Sequence, residues 1–183
     1  MIRPRQWGTA MAVLAIAATP VLLPGASSEA HAATSGAQCT LGTVAFSPNT
    51  PAALAVLQSA DAWTHSTGAG VLVAVVDSGI DASNAHLKGV VIGGVNLVGD
   101  GENSQGLSDA DGHGTAIAGE IAARLVPGSG VVGLAPEAKL LSVRVFRGTN
   151  DENVKAGFGP SADRLAEGIR YAADHGATII NAS

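Results

Sequence analysis

The chain has 183 residues, 46% of them hydrophobic, and carries a net charge of −5 from 10 Lys+Arg and 15 Asp+Glu. That length fits one domain or part of a larger one. An acidic chain with 3% aromatic residues lacks the cations that neutralise phosphates and the rings that stack on bases, which argues against a nucleic-acid partner.

Residues 1–32 read as a secretory signal peptide. Arg3 and Arg5 form a positive start, an apolar run follows from about Ala10 to Leu23, and Ala30-His31-Ala32 is an A-x-A cleavage site. The run is too short to span a bilayer comfortably, and no later apolar run reaches spanning length. The expected product is secreted, with residues 33–50 as a leader rich in Ala, Ser, Thr and Gly. Loss of Arg3, Arg5 and Glu29 with the signal takes the charge from −5 to −6. Cys39 is the single cysteine. A lost partner, an intermolecular bond and a free thiol all remain open for it.

Thr50-Pro51 gives a cap and a first-turn proline for one or two short helices through Thr64, with Trp63 expected on the core. The run "VLVAVV", Val71 to Val76, is continuous, apolar and β-branched, the pattern of a parallel strand buried on both faces. "HLKGVVIGGVNLV" predicts a second short strand, and a polar loop follows. A helix is expected from about His113 to Leu125, then a strand over 138–146 and a Gly-rich loop over 147–160. Ser161 caps a further helix that Gly176 stops, and "ATIINAS" predicts a last strand. Strands alternating with helices imply an α/β fold with a doubly wound, mostly parallel sheet.

In such sheets, ligands bind beyond the carboxyl ends of the strands. Asp77 stands there, directly after "VLVAVV". A carboxylate at that place is costly to bury unless paired. A plain turn residue is the competing reading of "DSGID", and Asp81 fits it well. His113 lies 36 residues further on, between Gly112 and Gly114, which leave room for close approach to its ring. A helix N-terminus disfavours imidazolium by about 0.3–1 kcal/mol. A hydrogen bond to a carboxylate favours it by about 1.5–3 kcal/mol. With Asp77 as partner the second effect wins, giving a base that can become cationic during a reaction. An ordinary surface histidine is the alternative.

"VAVVDSGID", "DGHGTAIAG", "GLAPEAKLLSVRV" and "ATIINAS" occur in the order and at separations that resemble the subtilisin-like serine proteases, over about residues 61–183. Within that family "AWTHSTGAGVLVAVVDSGID" and "GLSDADGHGT" are most similar to the mycosins of type VII secretion. The resemblance implies a subtilisin-like fold, incomplete here, and secreted or cell-envelope endopeptidase activity on protein or peptide substrates. It makes Asp77 the triad aspartate and His113 the general base and acid. It places Gly157 and Phe158, with Ala156, on an edge strand that pairs with substrate backbone. It makes Ser183 the first wall of the pocket for the residue before the scissile bond, and not the nucleophile. The nucleophilic serine and the asparagine oxyanion donor are expected beyond residue 183, so residues 51–183 form the N-terminal part of a catalytic domain. An inactive remnant or peptide-binding module is the alternative. The resemblance implies no cofactor, a partner in the type VII secretion machinery, and membrane attachment only through a C-terminal helix absent from this sequence.

Three other patterns are read as incidental. "GSGVVG" follows a helix rather than a strand, so it lacks the context of a dinucleotide site. Asp77, Asp109, Asp111 and His113 show no recognised metal-ligand spacing, so no catalytic metal is expected, while a weak structural cation in the 100–111 loop stays open. "NAS" at the end matches a glycosylation sequon on an expected buried strand.

Overall fold

The computed structural model describes residues 45–183. The signal peptide, most of the leader and Cys39 lie outside the described residues. Two short helices come first, α1 (Ala52–Val56) and α2 (Ser59–Trp63). Gln58 separates them with a left-handed backbone at φ 53°. Trp63 is half-buried rather than in the core, and its indole N–H donates to the Leu134 carbonyl at 2.7 Å.

The remaining elements are β1 (Leu72–Asp77), β2 (Val91–Asn96), α3 (His113–Ala122), β3 (Lys139–Arg144), α4 (Asp151–Lys155), α5 (Ala162–Asp174) and β4 (Ile179–Ala182). The four strands form one sheet in the order β2-β3-β1-β4, and every pairing is parallel. Side chains alternate across a strand, so β1 serves both faces. Val73 and Val75 join Ala118 and Ala122 of α3 in one core, while Ala74 and Val76 join Ala172 of α5 in the other. That two-sided burial is what the unbroken run at Val71–Val76 predicts. Gly168 sets how closely α5 can lie, because a Cβ there would come within 2.7–3.1 Å of methyl groups on Val145, Val76 and Val143.

Three expectations change. First, α3 stops at Ala122 instead of reaching Leu125. The next residues turn to pair with a distant segment, where Arg124 N–H donates to the His86 carbonyl and His86 Nδ1 meets the Arg124 carbonyl at 2.7 Å. Second, the Gly-rich loop contains α4. The Asn150 side chain caps it by accepting from Asn153 N–H, acids fill its first turn, and Lys155 ends it, all favourable to the helix dipole.

Third, residues 156–158 are not an edge strand. The Gly157 N–H bonds back to the Val154 carbonyl and the Phe158 N–H to the Asn153 carbonyl, while the Phe158 carbonyl accepts from Arg147 N–H. Arg164 donates to the carbonyls of Val145, Gly157 and Gly159. The local helix and this guanidinium use the backbone groups that strand pairing needs.

Candidate active site

The end of a strand and the start of a helix converge to make the site. Asp77 is the last residue of β1 and is fully buried. His113 is the first residue of α3, and its side chain is 48% exposed. The imidazole Nδ1 lies 2.9 Å from each Asp77 carboxylate oxygen. Burial makes the carboxylate dependent on partners, and it has them. Ser78 N–H donates to Oδ1 at 2.6 Å, and the Ser183 hydroxyl lies 3.1 Å from Oδ2.

The hydrogen bond from His113 to Asp77 and the charge of that carboxylate raise the histidine pKa above its ordinary 6.5. Burial opposes the rise, and the charges of Asp111 and Asp109 add to it. The structure brings Asp77 and His113, 36 residues apart in the chain, into direct contact.

Close packing makes the pairing possible. A Cβ on Gly114 would lie 2.1 Å from the Gly79 carbonyl oxygen and 3.2 Å from the Asp77 Cβ. Only glycine lets the start of α3 sit this near the end of β1.

The other expected residues are placed unevenly. Ser183 lines a cavity of about 470 Å³ together with His113, and its hydroxyl is also 2.7 Å from Asn181 Oδ1. Val145, Phe146 and Leu165 give that cavity apolar walls. Gly157 and Phe158 lie past α4, with the backbone engagements described above. Asp81 is a turn residue, accepting from the N–H and hydroxyl of Ser83. Among the described residues, no group of three or more His, Cys, Asp and Glu is arranged to hold a metal ion.

Two features of the site were not expected. Asp109 gives up any ligand-like availability to hydrogen bonds with Ser78, Gly112 and Thr115. Arg144, fully buried on β3, donates from Nε to the Ser78 carbonyl and from Nη1 to Asp100 Oδ1 at 2.9 Å, with Oδ2 at 2.7 Å. Burial works against ionisation of Asp100, but hydrogen bonds from Asn96 and Arg144, the Arg144 charge and the Glu102 N–H together hold its pKa below 3.8. An arginine inside the apolar strand "LLSVRVF" is the signal that a buried partner must exist.

A buried carboxylate thus orients an imidazole at the carboxyl ends of parallel strands, beside an open cavity, the place where ligands bind in sheets of this kind. The family model for the Subtilase family matches residues 68–183, and the chain belongs to that family of serine proteases. Mycosin-1 of Mycobacterium tuberculosis is 42% identical over 134 residues, which cover 68% of this chain and 29% of that relative. Fervidolysin of Fervidobacterium pennivorans is 40% identical over 124 residues, 66% of this chain and 17% of the relative. Among solved structures, the MycP3 protease from the type VII (ESX-3) secretion system superposes with a TM-score of 0.58 at 38% identity, over 77% of this chain and 38% of that one. The chain thus spans well under half the length of each of these relatives.

Proposed function

We propose that this protein is a secreted serine endopeptidase in which Asp77 and His113 are the base half of an Asp/His/Ser triad, with the nucleophilic serine contributed from outside residues 1–183. The observation that carries this reading is the 2.9 Å contact of His113 Nδ1 with both oxygens of a fully buried Asp77. With Nδ1–H donating to Asp77, Nε2 holds the lone pair. Nε2 takes the proton of the serine hydroxyl as that oxygen attacks the scissile carbonyl. Asp77 stabilises the imidazolium, and Nε2 then returns the proton to the leaving amine. Water repeats the cycle on the acyl-enzyme. Removing the serine of subtilisin, a member of the same family, lowers turnover about 10⁶-fold, so Asp77 and His113 alone are not a working protease.

The substrate in this reading is a protein or peptide. Ser183 walls the pocket for the residue before the scissile bond, a role supported by its place beside His113 on the same cavity. Backbone pairing of substrate with Gly157 and Phe158 rests on the resemblance. It requires Phe158 to leave Asn153 and Arg147. The signal-like start of the chain supports secretion, and the mycosin relatives support the type VII secretion machinery as its setting.

A fluorophosphonate probe tests the reading. Residues 1–183 are expected to remain unlabelled. A longer product carrying the serine is expected to label, and to lose both labelling and peptide hydrolysis on His113→Ala. Stoichiometric labelling of residues 1–183 would place the nucleophile within this chain. Labelling and hydrolysis that survive His113→Ala would remove His113 from the mechanism.

A further inference from the structure

The chain segments that carry Asp77 and His113 meet through a third residue, Asp109, in the loop before α3. Its Oδ1 accepts from the Ser78 hydroxyl and the Gly112 N–H, both at 2.9 Å. Its Oδ2 accepts from the Thr115 N–H at 2.8 Å and the Thr115 hydroxyl at 2.6 Å. Each of those hydroxyls also accepts a backbone N–H, Ser78 from Gly114 at 3.0 Å and Thr115 from Asp81 at 2.9 Å.

Ser78 directly follows Asp77, and Gly112 and Gly114 flank His113. One carboxylate therefore ties the chain neighbours of both members of the pair. It also supplies the cap that α3 otherwise lacks, because the residue at the cap position is Gly112, which has no side chain to offer.

We propose that Asp109 is a positioning residue for the Asp77–His113 pair, clamping the end of β1 to the first turn of α3 so that the imidazole meets the carboxylate squarely. The proposal rests on the protease reading and extends it to a residue that does not touch substrate. Three carboxylates act on His113: Asp77 from β1, and Asp109 and Asp111 from the preceding loop. Removing Asp109 takes away both a clamp and a charge, so the test needs one variant that removes the charge and one that does not.

Asp109→Asn and Thr115→Val are compared in the whole protein that carries this chain. Thr115→Val deletes one donor to Asp109 at constant charge. Misplacing a catalytic group by about 1 Å lowers rate on the order of 10²-fold. Asp109→Asn is expected to lower kcat about 10- to 100-fold on that basis, with KM little changed, and to move the NMR titration of His113 to lower pH. Thr115→Val is expected to change both in the same direction and by less.

A folded Asp109→Asn variant with unchanged kcat and an unmoved His113 titration overturns the proposal. So does a shift in Asp109→Asn alone, since that is the effect of charge without positioning. A fall in activity that only tracks the folded fraction, with the titration unmoved, marks a plain helix cap and overturns it too. If Asp109→Asn does not fold, Thr115→Val carries the same two readouts. If the parent protein hydrolyses no peptide, the protease reading fails. The His113 titration still decides the role of Asp109, because it needs no nucleophile.

Discussion

Arg144 stands opposite Asp77 in the register of β3 against β1, yet its guanidinium binds Asp100 and the Ser78 carbonyl rather than the Asp77 carboxylate. The two buried acids are thus given separate partners: a permanent cation for Asp100, and for Asp77 an imidazole whose charge can change. An arginine on Asp77 would hold that carboxylate neutralised at all times and leave His113 unoriented.

That division predicts a large effect from Arg144→Met. The substitution leaves Asp100 buried beside no cation, and breaking a buried pair from one side costs about 3–5 kcal/mol. Urea denaturation is expected to show that loss, with most of it recovered when Asp100→Leu is added. The pair also sets an acid limit. The Asp100 pKa is depressed on folding, so its contribution is present above the unfolded value of 3.8 and is lost as pH falls through the lower folded value. In Arg144→Met this acid arm of the stability curve is expected to flatten.

In the proposed protease, the pairing of His113 with Asp77 sets a pH limit on activity. Because the histidine pKa lies above 6.5, the base is neutral only above that raised value, and the acid limb of kcat/KM in the serine-bearing protein is expected there. Asp77→Asn removes the orienting carboxylate and favours the wrong tautomer. It is expected to lower kcat on the order of 10⁴-fold and to move the limb to lower pH. The linkage to folding has the opposite sense to that of Asp100. A raised histidine pKa stabilises the fold fully below the unfolded value, and the benefit is lost as pH rises through the folded one. A limb that stays in place in Asp77→Asn would show that His113 takes its pKa from elsewhere.

Gly114→Ala tests the close approach directly. The added methyl would lie 2.1 Å from the Gly79 carbonyl oxygen, so α3 must shift away from β1. A displacement near 1 Å is expected to lower kcat on the order of 10²-fold. The imidazole titration should fall toward 6.5 as the contact with Asp77 opens. Activity within twofold of the parent would mean that the helix has slack that the packing does not suggest.

The parts of this arrangement visible in the sequence are those encoded locally. The β-branched run before Asp77 and the glycines around His113 mark the strand end and the helix start without reference to the rest of the chain. The end of α3 was not visible because its stop is a pairing between Arg124 and His86, 38 residues apart. The α4 helix had a local signal, Asn150 followed by Asp151, Glu152 and Lys155, which the surrounding glycines obscured. Asp109 carries the local pattern of a backbone acceptor, an acid three residues before a glycine N–H, but the neighbouring acids Asp77 and Asp111 make a metal ligand an equally plain reading of the sequence. The Arg144–Asp100 pair spans 44 residues. Only the oddity of an arginine in an apolar strand pointed to it, and nothing local named its partner.

β1 lies between β3 and β4 and is packed from both faces. Buried central strands exchange their amide protons only through the largest openings of a protein, whereas helix ends and loops open far more cheaply. Asp77 ends such a strand, while the walls of the neighbouring cavity come from loops, the first residue of α3 and the first turn of α5. Local opening of those walls is therefore expected to leave the position of the Asp77 carboxylate unchanged until the sheet itself gives way.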